Sequence, residues 1–208
     1  MTPHDYIRAA RVPRSIEPQE FGLWTIKRVE SDNPFVRLQL GGFDSYTILY
    51  RLTLRTMHRP PGDVVMEDSL QELKRHLPIW LAARGRVLIT GLGLGCVVRG
   101  LLASPHVEHV DVVEIDAEII RACGGEFVVN PRVTVHQGNA LEYDFGPDAR
   151  WDCAWHDLYF DDSAVELHLA HAKLLHDYRE RAAVQGAWQL PREIKRMWRS
   201  RLLGGARR

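Results

Sequence analysis

The sequence predicts an α/β protein with a mostly parallel sheet, and three observations carry that prediction. Beyond residue 63, short apolar strand-like runs alternate with segments whose apolar residues recur at helical spacing, as βαβ crossovers require. One such run, "RVLITGLGLGCVVRG" at residues 86–100, passes from strand to helix through three alternating glycines. Another, "VDVVEID", ends in an acid, Glu114, 19 residues beyond Gly95. With 208 residues the chain can bury a core that needs neither disulfide nor metal.

Residues 1–62 read as a β-rich region. "LWTIKRVE" has strand character, and "FVRLQLGGFDSYTILYRLTL" reads as a hairpin. Its first arm sets Val36, Leu38 and Leu40 on one face, and the chain turns at Gly41-Gly42. The second arm sets Tyr46, Ile48, Tyr50, Leu52 and Leu54 on one buried face. "RPPGD" closes the region. A cofactor-binding domain over 63–188 follows. It opens with a helix marked by Ser69 and Glu72 as a capping box and by Leu70, Leu73, Leu77 and Trp80 on one face, with Pro78 expected to bend or shorten it.

Next come strand 86–90, a helix over Cys96–Ala103, strand "HVDVVEI", helix "AEIIRAC" and strands "RVTVHQ" and "RWDCAWHDLY". Asp162 or Ser163 is placed to cap a helix reaching about Arg181. Residues 189–208 predict a basic C-terminal helix, with seven basic residues against the single acid Glu193.

Composition narrows the function classes. Basic and acidic residues balance at 27 each, so the overall field gives no reason for an obligatory nucleic-acid or membrane partner. Cys96, Cys123 and Cys153 lie in apolar surroundings without close pairing, which suits reduced, buried thiols. No run approaches the roughly 18 apolar residues of a membrane span, and the polar start lacks a signal-peptide core, so a cytoplasmic protein is expected. His168, His171 and His176 share one predicted helix, but without a further ligand they read as solvated or hydrogen-bonded side chains, and no metal site is expected.

The chemistry is concentrated at the strand ends. Gly91, Gly93 and Gly95 remove Cβ atoms where backbone is to approach a ligand. Cys96 stands where the dinucleotide fingerprint needs its third glycine, so the pattern is G-x-G-x-G. Glu114, at the end of the next strand, is placed to accept hydrogen bonds from both ribose hydroxyls of an adenosine, or else to cap the following helix. "HQGNALEY" adds Asn139 after the third strand, as a neutral acceptor or a turn residue.

Taken together, "VVMEDSLQEL", "RVLITGLGLG", "VVEID", "GNALEY" and "WHDLY" resemble the class I S-adenosylmethionine-dependent methyltransferases, in their spermidine-synthase-like branch, over about residues 63–162. The resemblance implies a Rossmann-like methyltransferase fold with S-adenosylmethionine as cofactor, held by Gly91, Gly93, Gly95, Glu114, Asn139 and Ala140. It implies that Asp157 faces the transferred group and orients or deprotonates the acceptor. Two positions depart from the pattern: Leu94 stands where spermidine synthases carry an ammonium-binding Asp, and Ile89 where many methyltransferases carry an acid. Methyl transfer is therefore expected ahead of aminopropyl transfer, with a non-catalytic binding module as the further alternative. A small-molecule acceptor is expected in preference to nucleic acid. Nothing after Ser163 reads as the family's later strands, so a truncated sheet is expected, its edge covered by the last helices or by a second subunit in a homo-oligomer.

Overall fold

A computed structural model describes residues 1–30, 37, 43, 45–54, 56–159 and 164–188. Among these residues the chain builds two sheets. The first is antiparallel, in the order β1 (Gln19–Phe21), β2 (Trp24–Glu30), β3 (Ser45–Arg51), β4 (Asp63–Glu67). The second is parallel throughout and contains β5 (Gly85–Thr90), β6 (Val107–Glu114), β7 (Val133–Gln137), β8 (Trp151–His156) and β9 (Ala182–Ala187). Its spatial order is β7-β6-β5-β8-β9, so the chain moves outward from β5 in one direction and then returns to start again on the other side. That reversal leaves a crevice at the carboxyl ends of β5, β6 and β8.

The helices follow local signals. Helix α1 (Pro3–Ala10) is a finding the sequence reading lacks: Thr2 and Asp5 form a reciprocal capping box, and Tyr6, Ile7 and Ala10 are its buried side. The Tyr6 ring stacks on Trp80 with centroids 6.3 Å apart. The expected helix through Pro78 is two helices, α2 (Leu70–Arg75) and α3 (Leu77–Ala82), which meet at His76 with Pro78 in the first turn of the second. Then come α4 (Cys96–Ala103), α5 (Ala117–Cys123), α6 (Gly125–Val128) and α7 (Ala164–Asp177). Helix α7 stops short of Arg181 because the chain is already turning into β9.

Strand β9 corrects the expectation that nothing after Ser163 forms a strand, and among the described residues no further strand follows it. "AAVQGA" has no apolar alternation, yet Ala182 pairs with Trp151 and Ala187 with His156. The open edge of β8 supplies the pairing template, and the small Ala182, Gly186 and Ala187 fit the buried positions. The hairpin reading needs a second correction. Val36, Leu38, Leu40, Gly41 and Gly42 lie outside the described residues, and β3 buries its other face more fully. Ser45, Thr47 and Leu49 are buried, Ile48 is buried as expected, Tyr46 and Tyr50 are half-buried, and Leu54 lies beyond the strand and is 88% exposed. Pairing of β3 along its length with β2, and over Ile48–Arg51 with β4, fixes that face through long-range register, which alternation alone leaves two-valued.

One buried carboxylate ties the N-terminal segment to the antiparallel sheet. Asp68 accepts from Arg11 Nε and from the Val12 amide at 2.9 Å each, and from the Thr47 amide at 2.5 Å. The cysteines are free and buried, and no described helix is long and apolar enough to cross a membrane. His171 is fully buried and accepts from the Leu158 amide. No group of three or more metal-ligating side chains occurs among the described residues.

Candidate active site

The crevice at the strand ends is a cavity of about 340 Å³, within the range of small-molecule sites. The carboxyl ends of the parallel strands form its floor. Its roof comes from β2, β3, β4 and α2, with Trp188 entering just past β9.

The floor begins with the glycine loop after β5. Gly91, Gly93 and Gly95 have φ of +93°, +50° and +78°, the left-handed region that favours glycine. A Cβ on Gly91 would collide with the carbonyl oxygen of Asp157, and one on Gly93 would come within 2.7 Å of Met66 Sδ. Gly91 and Gly93 line the cavity, whereas Gly95 caps α4 and packs where a Cβ would meet the Phe127 ring at 2.5 Å. The loop's glycines thus allow backbone to pack against backbone and against the core as well as against the cavity. Leu94 is fully buried and is not part of the cavity wall, so its side chain neither supplies nor blocks a charge there.

Glu114 sits at the floor's centre, 8% exposed. Its Oε2 accepts from the Leu92 amide at 2.8 Å and its Oε1 from the Asp116 amide at 2.9 Å. Each oxygen keeps a second lone pair for a ligand donor. Burial pushes its carboxyl above the usual range, while the backbone N–H groups pull it back. Helix α5 is capped by Asp116, whose Oδ1 accepts from the Glu118 amide at 2.8 Å, so capping does not occupy Glu114. Asn139 and Ala140 line the wall beside it. Asn139 Oδ1 accepts from the Leu141 amide at 3.1 Å in an Asx turn, so part of its acceptor capacity is already used.

Asp157 is the first residue past β8, anchored by its amide to the Thr90 carbonyl at 2.8 Å and half-buried in the cavity wall. Burial, and secondarily the Glu72 carboxylate, push its carboxyl up to about 8. That shift favours the protonated carboxyl over the carboxylate in the free protein.

Sequence reasoning missed the roof. Glu72 donates its backbone N–H to Ser69 Oγ at 3.3 Å, but its side chain does not return the capping bond. Its Oε1 instead accepts from Trp188 Nε1 at 2.6 Å and its Oε2 from Arg75 Nη1 at 2.7 Å, and burial raises its carboxyl. Trp24 donates Nε1 to Asp116 Oδ2 at 2.8 Å, joining the antiparallel sheet to the rim of the floor. Arg51 lies over the Trp24 ring at 5.1 Å. Met66 Sδ receives the Leu94 amide at 3.3 Å, above the glycine loop. Four carboxylates, Glu72, Glu114, Asp116 and Asp157, thus face a cavity whose lining has one guanidinium, Arg51.

The strand order, with the glycine loop after β5 and the acid closing β6, is a Rossmann-like methyltransferase fold. No protein-family model matches the chain. Over 55 residues it is 49% identical to ribosomal RNA small subunit methyltransferase A of Nitrosospira multiformis, covering 26% of this chain and 20% of that protein. Over 67 residues it is 36% identical to the polyamine aminopropyltransferase of Agathobacter rectalis, covering 30% and 24%. A dimethyladenosine transferase structure from Plasmodium falciparum aligns with TM-score 0.42 and 17% identity, over 58% of this chain and 42% of that one. The chain spans about a fifth to a quarter of the length of the curated relatives it matches. The expectation of a small-molecule acceptor in preference to nucleic acid is corrected by the likeness to the Nitrosospira protein and to its counterpart in Pseudomonas syringae, both named as ribosomal RNA methyltransferases.

Proposed function

We propose that this chain binds S-adenosylmethionine and transfers its methyl group to a nitrogen of an RNA base. The observation that carries the reading is the cavity at the sheet's topological switch point, with Gly91, Gly93, Glu114, Asn139, Ala140 and Asp157 on one continuous wall. These residues fit an adenosine. Glu114 retains lone pairs for ribose hydroxyls, Asn139 and Ala140 border the base, and the glycine loop lets backbone lie close. When bound, the cofactor supplies a methyl group already activated on sulfur. The chain's task is then to align the acceptor and exclude water.

Asp157 lines the cavity just past β8, where its carboxyl, once cofactor binding has displaced the proton, accepts from an N–H of the base and holds the attacking nitrogen's lone pair in line with the methyl group. Tyr159 and Trp188 add aromatic surface to the same cavity, of the kind on which an extruded base stacks. The basic stretch 189–208, outside the described residues, is assigned to the nucleic-acid backbone, and Gly95 to holding the loop rather than the ligand. The division into an N-terminal region (1–62), a cofactor domain (63–188) and a basic tail (189–208) belongs to the same proposal, as does a cytoplasmic setting suited to three free thiols.

A second reading, aminopropyl transfer in the spermidine-synthase-like branch, is favoured by one observation. Glu72 and Asp157 supply the cavity with the acidity that Leu94 does not. One experiment separates the two. The protein is given labelled S-adenosylmethionine with total RNA, and in parallel the decarboxylated cofactor with putrescine. Label in RNA nucleosides is the expected result. Spermidine in the second reaction with no label in RNA would replace the first reading with the second. Binding of the cofactor without either product would leave a binding module.

A further inference from the structure

The roof of the cavity holds a charge arrangement that the floor does not need for binding an adenosine. Glu72 comes from α2, outside the parallel sheet, yet its side chain is only 12% exposed and shares the cavity with Asp157. Trp188 Nε1 fixes one oxygen from inside, and Arg75, itself 45% exposed, holds the other from the solvent side. Beneath Glu72 lies His76, fully buried against Trp80 and Trp155 and kept neutral by that burial, so no cation underlies the carboxylate.

We propose that Glu72 and Asp157 make the cavity selective for ligand charge, so that it takes a cationic sulfonium nucleoside in preference to the neutral thioether left after transfer. The inference rests on the cofactor reading above and adds a charge rule to it. Two acidic groups that share one cavity resist full ionisation of both, and a cation placed between them removes that resistance. Binding a sulfonium then releases the proton of Asp157 to solvent and sets a new carboxylate against the positive charge, beside Glu72, whose outer oxygen is paired with Arg75. A neutral thioether offers nothing in return for that ionisation, so the proton stays and the contact is weaker. The other charged groups around the cavity are Arg51 on β3, Glu67 on β4 beside Glu72, and Glu114 and Asp116 at the end of β6. The last two already hold backbone or indole N–H groups. The same rule favours exit of the spent cofactor, since methyl transfer removes the charge that held it.

Calorimetric titration of the full chain at pH 7 with S-adenosylmethionine and with S-adenosylhomocysteine, each in two buffers of different ionisation enthalpy, tests this. The sulfonium should bind about tenfold more tightly, the scale of one favourable charge contact at partly buried distance, and should release a proton that the thioether does not. Glu72→Gln keeps an oxygen for Trp188 Nε1 and should bring the two affinities together without weakening the thioether. Asp157→Asn should abolish the proton release, and it serves as the test should the Glu72 variant fail to fold. Equal affinities in the wild type, or a preference that survives both substitutions, would overturn the inference while leaving the cofactor reading intact. Binding of neither nucleoside would remove both.

Discussion

The floor and the roof of the cavity are built from different materials. The floor presents backbone: the glycine loop, the amides of Leu92 and Asp116 clasped by Glu114, and the Asx turn at Asn139. The roof presents side chains, Trp24, Arg51, Met66 and Glu72, joined by Trp188 from beyond the last parallel strand. Backbone at strand ends is held by the sheet and cannot be redirected by a point substitution. Side chains from a separate sheet can. On the proposed reading, recognition of the adenosine falls to the fold, whereas charge and the choice of acceptor fall to the attachment.

The largest expected effect comes from Asp157, where floor meets roof. Asp157→Ala should lose methyl transfer by about 100-fold or more at saturating cofactor, the scale for removing a positioned acid or base, while keeping its affinity for the neutral thioether. Single-turnover assays beside a binding titration check this, and wild-type turnover in the variant would move the chemistry elsewhere. Next, the floor should tolerate less than the roof. Gly91→Ala drives a Cβ into the Asp157 backbone at a φ of +93°, whereas Gly93→Ala meets only the sulfur of a flexible methionine. Gly91→Ala should therefore cost more than Gly93→Ala in urea unfolding, where strain at φ > 0 alone accounts for about 1–3 kcal/mol. Equal costs would deny the floor its rigidity.

A third expectation concerns pH. The Asp157 carboxyl is raised to about 8 in the folded chain, so the folded state keeps a proton that the unfolded state has lost. Its contribution to stability is complete below the unfolded carboxyl's value near ~3.9 and disappears as pH rises through about 8. Asp157→Asn should flatten the fall in melting temperature over that window, and an unchanged slope would place the titration on another group. The smallest effect is expected at the join between the two sheets. Trp24→Phe removes the Nε1 bond to Asp116 and should cost about 1 kcal/mol of stability, measured by denaturant unfolding. A loss several times larger would make the roof a structural part of the floor.

How much of this was legible in the sequence follows the same division. The glycine loop, Glu114 and the alternation of strands and helices from β5 to β8 are written locally, in alternation and in the spacing from Gly95 to Glu114, and those features are found where the sequence placed them. The roof is written in long-range register. Which β3 face turns to the cavity, that of Leu49 and Arg51 or that of Ile48 and Tyr50, depends on pairing with β2 and β4, and the Glu72–Trp188 contact joins residues 116 apart. The capping-box pattern at Ser69 even pointed Glu72 away from its actual partners. Strand β9 escaped because "AAVQGA" owes its pairing to the edge of β8 rather than to its own pattern. The proton on Asp157 was invisible for a related reason: burial and a neighbouring carboxylate are properties of three dimensions.

The central claim is that the floor holds an adenosine cofactor through Glu114. Titration of the wild type and of Glu114→Ala with S-adenosylmethionine, with circular dichroism confirming that both are folded, tests it most directly. The account predicts a loss of about 1.5–3 kcal/mol in binding free energy, the range for hydrogen bonds to a charged group. A folded Glu114→Ala variant with wild-type affinity would contradict it.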